Sequence, residues 1–108
     1  MATRIVLAIS TFPDAETAAG IAEQLVTARI AACANITAPV RSIYHWEGKL
    51  EKSDETMVFF KTTEERYEEF ARTLRSLHPY EVPEIVCLPL ADGLPEYLQW
   101  VERSCSPF

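Results

Sequence analysis

Between Val40 and Trp46 the chain alternates with a period of two. Val40, Ser42, Tyr44 and Trp46 fall on one side, and Arg41, Ile43, His45 and Glu47 on the other. That period belongs to an extended strand, whose successive side chains point to opposite faces. Glu47, Gly48 and Lys49 then supply a turn, and a second β-rich run, residues 55–61 (ETMVFFK), returns the chain. Arms longer than the roughly five or six residues usual for strands make this hairpin the strongest constraint on the fold.

The flanking segments supply the remaining elements. Residues 5–9 are a continuous apolar run, as expected of a central strand covered on both faces, ended by Thr11, Phe12, Pro13 and Asp14. Asp14 is a good N-cap, with Glu16 placing negative charge in the first helical turn. Ala18, Ala22, Leu25 and Arg29 then follow the helical period, flanked by Ile21 and Val26, and Gly20 marks a close approach to the sheet. Residues 30–36 read as helix on alanine propensity and as strand on pattern; the pattern favours strand. After the hairpin, Thr62 and Glu65 form a T-x-x-E capping box. Tyr67, Phe70, Ala71, Leu74 and Leu77 mark one helical face, which Pro79 stops. Residues 85–90 form a short strand, and Pro95 opens a terminal helix carrying Tyr97, Leu98, Trp100 and Val101.

The order is β-α-β-β-α-β plus a C-terminal helix. This predicts one α+β, ferredoxin-like domain over residues 1–108, with an antiparallel sheet and a long hairpin between its second and third strands. With 108 residues and 48% hydrophobic side chains, a core forms without disulfide or zinc. Ten Lys plus Arg against sixteen Asp plus Glu leave a net charge of −6, which argues against nucleic acid or an anionic membrane as partner. The three thiols, Cys33, Cys87 and Cys105, are widely spaced and form no CxxC, so a reducing, cytoplasmic setting is expected. The N-terminal apolar stretch is too short for a signal peptide, and no run approaches the roughly 18 residues of a membrane span.

Catalytic signatures are missing: no GxSxG elbow, Gly-rich phosphate loop or HExxH occurs. Two histidines, His45 and His78, cannot supply a three-His metal site within one subunit. Asp54 and Glu55 read as a solvated pair near the hairpin tip. The densest cluster is residues 78–85 (HPYEVPEI), where two prolines hold an imidazole, a phenol and two carboxylates in fixed directions. His78, Tyr80, Glu81 and Glu84 line a ligand or metal site there, or else His78 simply complements a helix C-terminus and the carboxylates are ordinary surface groups. Lys61 could lend positive charge for a small anionic ligand; an ordinary salt bridge is the plainer account. Tyr44 and Trp46 read either as anchors of an oligomer interface or as side chains packed on the terminal helix. A hydrolase of the acylphosphatase kind is the rival class, with Arg4 and Asn35 available but the glycine loop absent.

Residues 25–36 (LVTARIAACANI), 42–49 (SIYHWEGK), 61–63 (KTT) and 78–85 (HPYEVPEI), in this order and spacing, resemble the divalent cation tolerance family, CutA. The resemblance runs from the opening strand to residues 97–100. It implies strand for residues 33–36 and a tight homotrimer with hairpins pairing across subunits. It also implies a non-enzymatic role in metal-ion response, with copper bound in some members and no required cofactor beyond copper or another divalent cation held weakly. A build similar to PII-type signalling proteins leaves small-molecule or nucleotide sensing, or a protein-anchoring module, as the alternative. In copper-linked members a Cys near the end of the first strand and a His pair before Pro-Tyr are implicated. Ser10 and Leu77-His78 stand there in this chain, so only His78 remains, and weak, pH-dependent copper binding is expected.

Overall fold

The computed structural model describes residues 4–106. Its elements are β1 (Ile5–Phe12), α1 (Ala15–Thr27), β2 (Cys33–Ile36), β3 (Val40–Trp46), β4 (Lys49–Thr63), α2 (Glu64–Leu77), β5 (Val86–Pro89) and α3 (Pro95–Ser104). The strands lie in the order β2-β4-β1-β5, with β3 beside the other half of β4, and every pairing is antiparallel. This is the ferredoxin-like α+β arrangement that the element order predicts, with one refinement. The second strand of that order is split into β2 and β3.

Thr37, Ala38 and Pro39 make the split, since proline has no N–H for the ladder. Thr37 repairs it: its N–H donates to the Met57 carbonyl at 2.9 Å, and its hydroxyl accepts from the Met57 N–H at 3.2 Å. The hairpin closes through a two-residue turn with both central residues at positive φ, Glu47 at 51° and Gly48 at 79°. Such a turn matches the twist of the strands it joins, and glycine tolerates it without strain. β4 therefore starts at Lys49 rather than residue 55. Its first residues are polar apart from Leu50 and are held by the ladder to β3, from Trp46↔Lys49 to Val40↔Glu55.

Helices α1 and α2 cover one face of the sheet. Ala8, Phe12, Val58 and Phe60 from the strands meet Ala18, Ile21, Ala22, Leu25, Phe70 and Leu74 from the helices. Phe60 and Phe70 pack edge to face at 5.0 Å. A second, smaller cluster joins Ile5 and Ala32 to Val101 and Cys105 of α3. The opposite sheet face is covered by α3 at one end, over Ile5, and carries no helix over Leu7 and Ile9. Register places Leu7 beside Lys61 and Leu88, and Ile9 beside Phe59 and Val86, and Val86 and Leu88 are exposed. The run at residues 5–9 is thus covered by helices on one face, and on the other only at Ile5, by α3.

Three local expectations shift. β1 continues through Thr11 and Phe12, because Phe12 is fully buried and Thr11 still pairs with Met57; Pro13 is the actual stop. The N-cap of α2 is Thr63, whose hydroxyl accepts from the Arg66 N–H, while Thr62 is buried and donates to the Ile30 carbonyl at 2.8 Å. Gly20 lies on the exposed side of α1 with open space around it, not against the sheet. The Asp14 cap is as expected: its carboxylate accepts from the Thr17 N–H at 2.7 Å, and these hydrogen bonds hold its pKa low.

Candidate functional site

After α2 the chain cannot remain helical, because Pro79 follows His78, and it crosses toward the base of the hairpin. A groove of about 650 Å³ runs between the hairpin and this crossing segment. The hairpin contributes Ser42, Ile43, Tyr44, Trp46 and Glu55, the crossing segment Pro79 to Val82 and Glu84, and β1 contributes Thr11. Tyr80, Glu81 and Glu84 are brought together as the sequence suggests, with Tyr44 and Trp46 on the facing wall. Trp46 is 40% exposed and lines the groove. Tyr44 shares a hydrogen bond with Ser53 at 3.3 Å.

His78 anchors the segment without facing the groove. Its Nδ1 accepts the Tyr80 N–H at 3.1 Å, which leaves the ring proton on Nε2, where it donates to the Thr11 carbonyl at 2.8 Å. The ring stacks on Phe12 at 4.7 Å and 17°, and touches Tyr80 at 4.9 Å. Burial pushes its pKa below the ordinary value, against the opposing pull of the Thr11 carbonyl and the Glu55 carboxylate. His78 therefore ties three elements together as a neutral, fully bonded ring.

Glu55 is the residue the sequence reading placed wrongly. Asp54 does lie at the surface, paired with Arg41 at 2.9 Å, but Glu55 is only 9% exposed and accepts from the Tyr80 hydroxyl at 2.8 Å. Burial and the neighbouring carboxylate both push the Tyr80 pKa up, so the phenol stays a donor. The usable signal was parity: Glu55 shares its strand side with Met57 and Phe59 and pairs with Val40, at the hairpin's base rather than its tip.

Lys61 does not line the groove. It sits on the partly uncovered sheet face, donating to Asn35 Oδ1 at 2.6 Å. Arg4 pairs instead with Glu64 at 3.5 Å, so the two side chains an acylphosphatase would need are engaged elsewhere and with different partners. Cys33 lies 3.6 Å from the Tyr97 hydroxyl, and burial, with help from this thiol, pushes the Tyr97 pKa up to about 12.

The residues do not assemble a copper site within one chain. Both His78 nitrogens are occupied, Leu77 packs on the core, and Ser10 is fully buried with its hydroxyl unpartnered among the described residues. Among those residues, no three of His, Cys, Asp or Glu converge in a metal-binding geometry. No helix among them is long and apolar enough to cross a membrane.

A ferredoxin-like sheet with a split second strand, an extended hairpin and a groove at its base defines a narrow class of small α+β proteins. The profile of the CutA1 divalent ion tolerance protein family matches residues 6–104, nearly the whole chain. The divalent-cation tolerance protein CutA of Thermus thermophilus is 43% identical over 94 residues, covering 87% of this chain and 91% of that protein. Among solved structures, CutA1 from Ehrlichia chaffeensis superposes with a TM-score of 0.92 at 28% identity, covering 96% of this chain and 97% of that one. The periplasmic divalent cation tolerance protein CutA from Archaeoglobus fulgidus gives 0.91 at 33% identity, covering 94% and 99%. The chain belongs to the CutA1 divalent ion tolerance family.

Proposed function

We propose that this protein acts as a non-enzymatic homotrimer in the response to metal ions, and that the groove at the hairpin base is its ligand-responsive region. The observation that carries the assembly is the partly uncovered sheet face. Leu7, Ile9, Val86 and Leu88 share its uncovered part, on a chain whose other face packs its core against two helices. Apolar surface of that kind marks an interaction site. The free edges of β3 and β5, together with a hairpin that stretches the molecule to 47 Å, offer further strand-pairing surface.

A non-catalytic role is supported by the groove's chemistry. Its hydroxyls, on Thr11, Ser42, Tyr44 and Tyr80, have no imidazole beside them to act as base, because His78 is committed to Thr11 and Tyr80. Copper binding by the single chain is expected to be weak, since His78 must first release the Thr11 carbonyl or the Tyr80 N–H. A cytoplasmic setting is supported by the three free thiols.

Light scattering coupled to gel filtration tests the assembly: a mass of three chains at micromolar concentration is expected, and a monomer mass refutes it. Copper titration of the wild type and His78→Ala tests the metal. Weak binding that fades as the pH falls below the ordinary His range is expected, and tight binding that survives the substitution places copper elsewhere.

A further inference from the structure

We propose that the groove takes an organic cation, an ammonium or guanidinium head on an apolar or aromatic body, rather than a bare metal ion or an anion. The inference rests on the reading of the groove as the ligand site and names the ligand's chemistry.

Three carboxylates, Glu55, Glu81 and Glu84, line the groove together with three aromatic rings, Tyr44, Trp46 and Tyr80, and among the described residues no Lys, Arg or His lines it. Arg41 is paired with Asp54, and Arg72 and Arg75 line a separate depression that shares only Glu81 and Val82 with the groove. Glu55 is the buried anchor. Tyr80 donates to its Oε2 and so fixes the carboxylate in place, leaving the group's remaining acceptor capacity for a ligand donor. An anionic ligand would meet three carboxylates with no cationic side chain among the lining residues. A bare divalent ion needs several oxygens converging on one point, and no three His, Cys, Asp or Glu side chains converge among the described residues. Carboxylates spread along a wall, facing exposed aromatic faces, instead match a ligand with length: rings attract a cation through their electron-rich faces, and the apolar body covers Ile43 and Val82. The volume, about 650 Å³, is that of an ordinary small-molecule site.

The test uses the full chain and two probes of one shape and opposite charge, phenylethylammonium chloride and sodium phenylacetate. Each is titrated by calorimetry and by tryptophan emission, with Trp46→Phe separating Trp46 from Trp100. Saturable binding of phenylethylammonium is expected, with phenylacetate weaker by about tenfold or more, and with the Glu81→Gln, Glu84→Gln double variant weakened by a similar factor. Both carboxylates are exposed, so those substitutions leave the core intact. Equal or tighter binding of phenylacetate overturns the cation while leaving the groove a ligand site. Cation binding indifferent to Glu81, Glu84 and Trp46 also overturns it, placing the probe elsewhere. Saturable binding of neither probe, or a Trp46 shielded from acrylamide quenching in the unliganded protein by a second copy seated in the groove, overturns both the proposal and the reading beneath it.

Discussion

The two halves of β4 are one continuous strand in two environments. From Lys49 to Asp54 its residues are exposed or half-exposed, and the ladder to β3 holds them with two surface side-chain bonds, Tyr44 to Ser53 and Arg41 to Asp54. From Glu55 to Thr63 it is sandwiched between β1 and β2, and Thr56, Val58, Phe60 and Thr62 are almost completely buried. The outer half is paired along one edge and the inner half along both, and side-chain burial is confined to the inner one. The lesson is that strand pairing carries the arm out to its tip, while apolar packing secures its root. The candidate groove lies at the junction, where a rigid wall and an accessible surface meet.

The sharpest way to break this contrast is Phe60→Ala. It removes a ring that touches Phe70 in the main core, and a loss of about 3–5 kcal/mol in unfolding free energy is expected from denaturant titration. Tyr80→Phe probes the junction. It leaves the buried Glu55 carboxylate without its phenol donor, at a cost of about 1–3 kcal/mol by the same measurement, with little change in volume.

Acid should act on the junction through His78, with a smaller effect. Its pKa in the folded chain lies below the ordinary 6.5, so the unfolded chain takes up the proton first. Stability from this group is therefore complete above pH 6.5 and is lost as the pH falls from there through the lowered folded value. The groups facing the ring are the Thr11 carbonyl and the Glu55 carboxylate, with Phe12 stacked on it and Tyr80 tilted against it. Melting temperature measured across pH 7.5 to about 5 should fall, and His78→Gln should flatten that part of the curve. The smallest effect belongs to the arm. Leu50, 59% exposed, should tolerate Leu50→Ala within about 0.5 kcal/mol in the dissociated chain. A cost that appears only at concentrations where the chain assembles would place the arm inside an interface.

Much of the fold was legible because its signals are local. The alternation of Val40–Trp46, the Glu47-Gly48 turn, the Asp14 cap and the Tyr67-Phe70-Leu74 stripe each involve residues within a few positions of one another. The capping box was misplaced by one residue because Thr62 and Thr63 offer the same hydroxyl; only the buried Ile30 carbonyl claims Thr62. At the candidate site, Tyr80, Glu81 and Glu84 were legible from their proline-clamped cluster, whereas Glu55 was not, since an acidic pair after a hairpin reads as solvated until the packed neighbour is known.

The sequence by itself determined the element order, the antiparallel hairpin, the helix faces and the family to which the chain belongs. The tertiary structure alone decided that His78 is a fully bonded tie, that Glu55 is buried, that Lys61 lies away from the groove and that one sheet face is left partly uncovered. The physical reason is distance along the chain. Periodicity and caps are set by neighbours within about four residues. The bond from His78 to Thr11 joins residues 67 apart, and that from Tyr80 to Glu55 residues 25 apart. Burial and partner choice at such separations exist only once the sheet has closed and brought β1, the hairpin and the crossing segment to one place.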